Sequence, residues 1–303
     1  MTRIRGAAII LAMLIAALAA AVAATVFADQ QRWSRTVEHR RDAVQAQALG
    51  MAGVQWARQI LDDDARRSEI DHLGEPWALA LPPIPLDNGE IRGAIVDAQG
   101  RLNINALGAA GTTAGPERTR IAALFANRGV AAALLDPIAD WIDADSAIRP
   151  AGAEDAYYAA QSTPGLAANV PMLRVSEMAA VKGVTPQALA AVAPFLSALP
   201  AGTPVNVNTA PPEVLATLVD NVSEEKLGAL IAERAKNPFT SVADFRARLP
   251  EGVVLGSDNA LSVKSNFFYV TVEARQGATA ARARALLQRS GGGWPIVVWQ
   301  VVE

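Results

Sequence analysis

The sequence predicts an α+β fold: a long N-terminal helix packed on an antiparallel sheet, with a large helical domain inserted between strands. Three observations predict it. An uncharged apolar run, Ala7 to Phe27, leads into a polar stretch to Leu61 that has no proline and no glycine before Gly50. Strand patterns occur only at 90–105 and 266–302, on either side of about 155 residues of mostly helical pattern. Charge divides the same way. Residues 106–261 hold 11 Lys/Arg and 16 Asp/Glu, a net −5, and the remainder holds 16 and 14, a net +2.

Bulk composition narrows the function classes. The 303 residues are 51% hydrophobic and 19% charged, which is globular rather than disordered. A net charge of −3 gives no overall attraction to nucleic acid. There is no cysteine, so disulfide and thiol chemistry are excluded. With only His39 and His72, zinc of the usual Cys/His kind is excluded too.

The first helix begins beside Arg3 and Arg5. Its apolar run is about 20 residues, the length that crosses a bilayer core. The arginines place the short N-terminus in the cytoplasm and the rest of the chain across the membrane. Three readings fit: a signal peptide ending at Ala28, an uncleaved anchor, or a leader cut after Gly6. Beyond Asp29, apolar residues recur at Trp33, Val37, Val44, Ala48 and Met51, a helical spacing. That continuity favours the last two readings. It also predicts a surface helix that lays this stripe on a sheet.

Proline and glycine punctuate 74–89, which predicts a long loop. GEIRGAIVDAQGRLNIN then reads as two strands joined at Asp97–Gly100. Helices are expected at 117–127, 130–142, 175–182, 186–199, 211–219, 224–235 and 242–249. Strands return at 266–275, 281–289 and 295–302, the last after a turn at Gly291–Gly293. The segment VNVNTAPPEVLATLVDNVSEEKLGALIAERAKNPFTSVADFRARL (205–249) resembles a helix-hairpin-helix unit, with Asn208-Thr209-Ala210 as cap and Pro211 in the first turn. Its hairpin, Asp220–Ser223, lacks glycine and carries an acid. With the acidic surroundings this points to a packing module, without nucleic acid. NIN at 103–105 hints at a second copy.

One stretch carries unexplained chemistry. DWIDADSAIRPAGAEDAYY (140–158) holds Asp140, Asp143, Asp145, Glu154 and Asp155 against Arg149 alone. A solvated loop, a carboxylate pair for hydrolysis, and a cation site all fit such crowding. Asp143 and Asp145 form a D-x-D. The Arg149-Pro150 turn can return Glu154 and Asp155 to them, and Asp140 ends the preceding helix.

Taken together, the leader ending in glycine, the helix leaving the membrane, the interrupted sheet, DWIDAD…GAEDAYY and VNVNTAPPEVL resemble the type II secretion system protein K family. These are the large minor pseudopilins of the general secretion pathway. The resemblance covers nearly the whole chain. It implies a pilin-like fold with a leader at 1–6, a transmembrane helix at 7–28, a first part of the pilin-like domain at 29–105, an inserted helical domain at 106–261, and C-terminal strands at 262–303. It implies cleavage by prepilin peptidase after Gly6 and methylation of Ala7.

The family lacks the usual pseudopilin glutamate at the fifth mature residue, and Leu11 stands there. A carboxylate without its partner amine is costly in lipid. A subunit needing no such partner suits the filament tip. Implied partners are minor pseudopilins I and J, through them the pseudopilus, and the inner-membrane secretion platform. Contact is expected on Leu11 and on the exposed helix side, including Trp33, Val37 and Val44. The implied location is the inner membrane, single-pass, with the globular part in the periplasm. The implied cofactor is Ca²⁺ on Asp140, Asp143, Asp145, Glu154 and Asp155, and no catalytic residue is implied. The competing classes are a calcium-dependent enzyme, secreted or membrane-anchored, and a membrane-tethered DNA-binding protein.

Overall fold

The computed structural model describes residues 3–79, 82–108, 115–256, 260–290 and 293–303. Helix α1 runs unbroken over Arg3–Ala65, 63 residues. Every residue from 8 to 41 on it is exposed. Among the described residues it is the one helix long and apolar enough to cross a membrane, and none of that apolar window is covered by protein.

The C-terminal part of α1 lies on a five-stranded antiparallel sheet. In chain order the strands are β1 (Ile84–Leu86), β2 (Gly89–Asp97), β3 (Phe267–Gln276), β4 (Thr279–Ser290) and β5 (Gly293–Val302). Their order across the sheet is their order in the chain. β2 and β3 are therefore hydrogen-bonded neighbours, with Asp97 opposite Phe268. Residues 98–266 stand where a tight turn would normally join them.

Alternation decides which side chains face α1. Phe268, Val270 and Val272 on β3, and Ala283, Ala285 and Leu287 on β4, form one core with Val54, Leu61 and Trp77. The helix stripe meeting them is not the expected one. Ala46, Gly50, Gly53, Val54, Ala57 and Leu61 are buried, whereas Trp33, Val37, Val44 and Met51 are exposed. Small residues win because the helix lies close to the strands. A Cβ on Gly53 would sit 2.6 Å from Val272 Cγ1.

The hairpin expected at 97–100 is also corrected. β2 pairs with β1, inside the expected loop, and with β3. Residues Leu102–Asn103 leave the sheet and pair in parallel with Leu196–Ser197. Of the turn expected at Gly291–Gly293, Gly291 and Gly292 lie outside the described residues.

The insertion carries the helices α2 (Pro116–Asn127), α3 (Leu135–Ile142), α4 (Asp155–Ala159), α5 (Pro186–Val192), α6 (Pro212–Leu218), α7 (Glu224–Lys236) and α8 (Val242–Ala247). The stretches expected as helices at 175–182 and 186–199 are shorter. The first is a 3-10 turn over Val175–Ala180, and the second ends as α5 and a 3-10 turn over Ala193–Phe195. One core holds the domain together, including Ile104, Phe125, Ile138, Leu215, Phe239 and Phe245.

Two modules repeat within it. Asn103 Oδ1 accepts the Asn105 amide (3.1 Å), and Asn206 Oδ1 accepts the Asn208 amide (2.9 Å). Asn105 then pairs with both backbone groups of Met172, and Asn208 with both of Phe239. Each N-x-N follows a two-residue parallel pairing, 102–103 with 196–197 and 205–206 with 261–262. Asn208 is thus a cross-brace and not a helix cap. Pro211 holds the N-cap position of α6.

Candidate metal centre

α3 and α4 bring the acidic stretch together. The apolar face of α3 (Leu135, Ile138, Ala139, Ile142) enters the insertion core, which fixes the helix axis. Its last turn then directs Asp140 inward, with no exposed surface. Asp143 ends the helix in an extended conformation. The chain returns through Arg149–Gly152, closed by a bond from the Gly152 amide to the Arg149 carbonyl (2.9 Å). A Cβ on Gly152 would overlap Asp140 Oδ2, so the return requires glycine. Lys182 Nζ donates to the Gly152 carbonyl at 2.9 Å, and Tyr158 packs edge-on to Trp141 at 5.0 Å. These contacts fix the loop from its far side.

Arg149 divides the five acids. Its Nη1 donates to Asp140 Oδ1 (2.5 Å) and Asp143 Oδ2 (2.6 Å), while its backbone amide donates to Asp140 Oδ2 (3.2 Å). Asp140 is thereby satisfied inside the protein. Asp155 accepts the Ala167 amide at 2.9 Å and opens α4. Asp143, Asp145 and Glu154 converge, each offering a carboxylate oxygen within 4.8 Å of the others. Arg149, the one cation of the stretch, clamps Asp140 away from the group, and no local pattern in the sequence signals that role.

The electrostatics of the trio are unfinished. Glu154 is 5% exposed, yet neither carboxylate oxygen has a hydrogen-bond partner, and Asp143 Oδ1 has none either. Burial pushes the Glu154 carboxyl up from its ordinary 4.5 to about 7, helped by Asp140, Asp143, Asp145 and Asp155. Burial also raises Asp143 against the pull of its bond to Arg149. A buried carboxylate without donors costs several kcal/mol unless it is neutralised, roughly. A hard divalent cation neutralises it with the donor set present, all oxygen and no sulfur or imidazole. The three residues therefore fit calcium, with backbone or water oxygens completing its usual six to eight ligands, roughly.

A second acidic group, absent from the sequence-based expectations, lies in the body of the sheet. Asp64 ends α1, Asp71 and Glu75 follow it, and all three are buried and mutually close. Arg289 of β4 bonds to Asp64 Oδ2 and Asp71 Oδ1, each at 2.5 Å. Asp71 also accepts the Ser265 amide (2.7 Å), and Glu75 accepts the Trp77 indole N–H (2.8 Å). Asp97, at the end of β2, accepts Ser265 Oγ (2.5 Å), Thr209 Oγ1 (2.6 Å) and Asn206 Nδ2 (3.1 Å). Asp97 thus ties both crossings between sheet and insertion to the second N-x-N module.

Two family models, both described as type II secretion system protein K, match residues 100–201 and 205–264. Type II secretion system protein K of Pseudomonas aeruginosa is 31% identical over 95% of this chain and 90% of its own length. The chain belongs to the type II secretion system protein K family. The protein K of Klebsiella pneumoniae is 30% identical, covering 97% of this chain and 95% of its own. A solved GspK-GspI-GspJ complex from the type 2 secretion system of enterotoxigenic Escherichia coli contains a chain that superposes with a TM-score of 0.75. That chain is 25% identical, and the match covers 89% of this chain and 99% of that one. The two family segments coincide with the two N-x-N modules. The acidic trio lies in the first segment, and Asp97, just before that segment, bonds to Asn206 and Thr209 at the start of the second.

Proposed function

We propose that this chain is a minor pseudopilin. It forms the pseudopilus tip with the I and J subunits and starts assembly of the pseudopilus that exports folded proteins across the outer membrane. Membership of the protein K family carries the reading, and the likeness to a chain in the GspK-GspI-GspJ complex supports it. The role is structural and not catalytic. α1 anchors the chain once in the inner membrane and the globular part lies in the periplasm, which its exposed apolar run and the flanking Arg3 and Arg5 support. Gly6 and Ala7 lie in the first turns of α1, where prepilin peptidase cuts and the new terminus is methylated. Assembly onto the secretion platform follows that cut.

The exposed side of α1, with Leu11, Trp33, Val37 and Val44, is the side offered to the other subunits. Leu11, 59% exposed, puts an apolar side chain where a carboxylate would seek a neighbour's amine in lipid. The insertion, attached in place of one turn, adds bulk without disturbing the sheet. Calcium at Asp143, Asp145 and Glu154 supplies charge neutralisation and a cross-link between the ends of α3 and α4. Arg149 holds Asp143 for it, and the glycine at 152 lets the loop close.

Co-expression with I and J subunits, followed by affinity capture on this chain, tests the reading. A complex containing both is expected, with a mature N-terminus at methylated Ala7. Neither subunit captured, or a terminus at Asp29, overturns it.

A further inference from the structure

The face of the sheet turned away from α1 is only partly covered by the insertion. A cleft of about 290 Å³ opens there. Val96, Tyr269, Leu286 and Trp299 lie in one cross-strand row on β2 to β5. Tyr269 and Trp299 form an aromatic floor, with ring centroids 6.2 Å apart. The Trp299 indole N–H is buried with no hydrogen-bond partner. Three arginines from three elements line the same cleft: Arg101 just after β2, Arg174 before the 3-10 turn, and Arg284 on β4. No carboxylate lines it. Arg101 lies over the Tyr269 ring at 5.4 Å, and among the described residues neither Arg101 nor Arg174 forms an ion pair. Arg284 pairs with Glu303 at the open C-terminal end.

This is a local excess of positive charge against an acidic insertion and a chain of net −3. Guanidinium groups over aromatic rings, in a partly dry cleft, recognise carboxylates through forked hydrogen bonds. The three arginines come from separate elements that line a cleft with an aromatic floor. A polypeptide suits that layout, with acidic side chains at the rim and an apolar one on the floor. We propose that this cleft binds an acidic segment of a partner protein. Its carboxylates meet Arg101, Arg174 and Arg284, an apolar side chain lies on Tyr269 and Trp299, and a carbonyl accepts the Trp299 N–H. The site is independent of the exposed side of α1 and of the acidic trio.

The test uses the full chain in detergent and a short dye-labelled peptide of alternating glutamate and leucine, read by fluorescence anisotropy. A peptide with lysine for glutamate and inorganic phosphate are the comparisons. Saturable binding of the acidic peptide is expected, weakened about tenfold or more by Arg284→Glu and by Arg101→Ala. Arg66→Ala, whose guanidinium pairs with Asp62 on α1, leaves it unchanged. Should Arg101→Ala not fold, Arg174→Glu replaces it, since Arg174 and Arg284 are both exposed. Equal binding of the lysine peptide, or no loss in Arg284→Glu, overturns the proposal. So does phosphate occupying the cleft while the peptide fails to bind, because the cleft is then a small-anion site.

Discussion

Among the described residues lie two groups of three carboxylates and one arginine, and they are finished to different degrees. In the sheet body, Arg289 divides its guanidinium between Asp64 and Asp71, and Glu75 receives the Trp77 indole. In the insertion, Arg149 spends one nitrogen on both Asp140 and Asp143 and leaves Glu154 with no donor at all. The first group is closed by the chain's own residues. The second keeps carboxylate oxygens without a donor among the described residues. The same composition therefore gives a closed structural brace in one place and an open acidic group in the other. What decides is where the donors point and not how many acids are present.

The largest expected effect comes from opening the closed group. Arg289→Met keeps apolar bulk near the Phe268 ring, which Arg289 covers at 4.5 Å, but leaves Asp64 and Asp71 buried without their cation. Breaking such a pair from one side costs about 3–5 kcal/mol. Chemical denaturation of the full chain in detergent, in calcium and in chelator, should show that loss in both conditions. A loss under about 1 kcal/mol would mean that the body does not depend on this pair.

The open group should respond to calcium instead. A ligand at a hundred times its dissociation constant stabilises the state that binds it by about 2.7 kcal/mol. Calcium should raise the melting temperature relative to chelator, and hydrogen exchange should report the protection in α3 and α4. Asp143→Ala with Asp145→Ala should remove the shift while leaving exchange in β3 and β4 unchanged. A calcium shift that survives the double substitution would move the ion elsewhere. No shift in fully stripped protein would remove it from the account.

Much of this contrast follows the range over which residues interact. The D-x-D spacing of Asp143 and Asp145, and the return of Glu154 through the turn after Arg149, are local and readable. The diversion of Asp140 and Asp155 is not, since it depends on which way Arg149 and the Ala167 amide point. Arg289 lies more than two hundred positions from Asp64 and Asp71, so no local pattern announces their pairing. The fold divides similarly. Alternation finds β3, β4 and β5, and the 3.6 period finds α1, α2 and α7. Apart from Val54 and Leu61, the stripe of α1 that packs is alanine and glycine, which carry little hydrophobic signal. The more apolar stripe, with Trp33 and Val44, faces outward. Asp97–Gly100 reads as a hairpin turn, but Asp97 is drawn to Ser265, Thr209 and Asn206, which are far away in sequence.

The smallest effect lies in the pH dependence, and it separates the two groups by where they titrate. Glu154 is raised to about 7, and Asp64 and Asp97 are each raised to about 6. In each case the folded state holds a proton that the unfolded chain has already released, so stability falls as pH rises toward the folded value. From about pH 6 to pH 7 the change belongs mainly to Glu154, and from about pH 4 to pH 6 Glu154 and the two aspartates share it. Calcium bound at the trio would hold Glu154 ionised in the folded state and cancel its part. The melting temperature of chelated protein should therefore decline across the upper window, and saturating calcium should flatten that decline. The lower-window decline should persist in both, smaller in calcium by the part that Glu154 contributes there. Glu154→Gln should also flatten the upper window without calcium, because it removes the titrating group but keeps its shape. If chelated protein shows no upper-window decline, Glu154 has found a donor within the chain, and the two groups are alike after all.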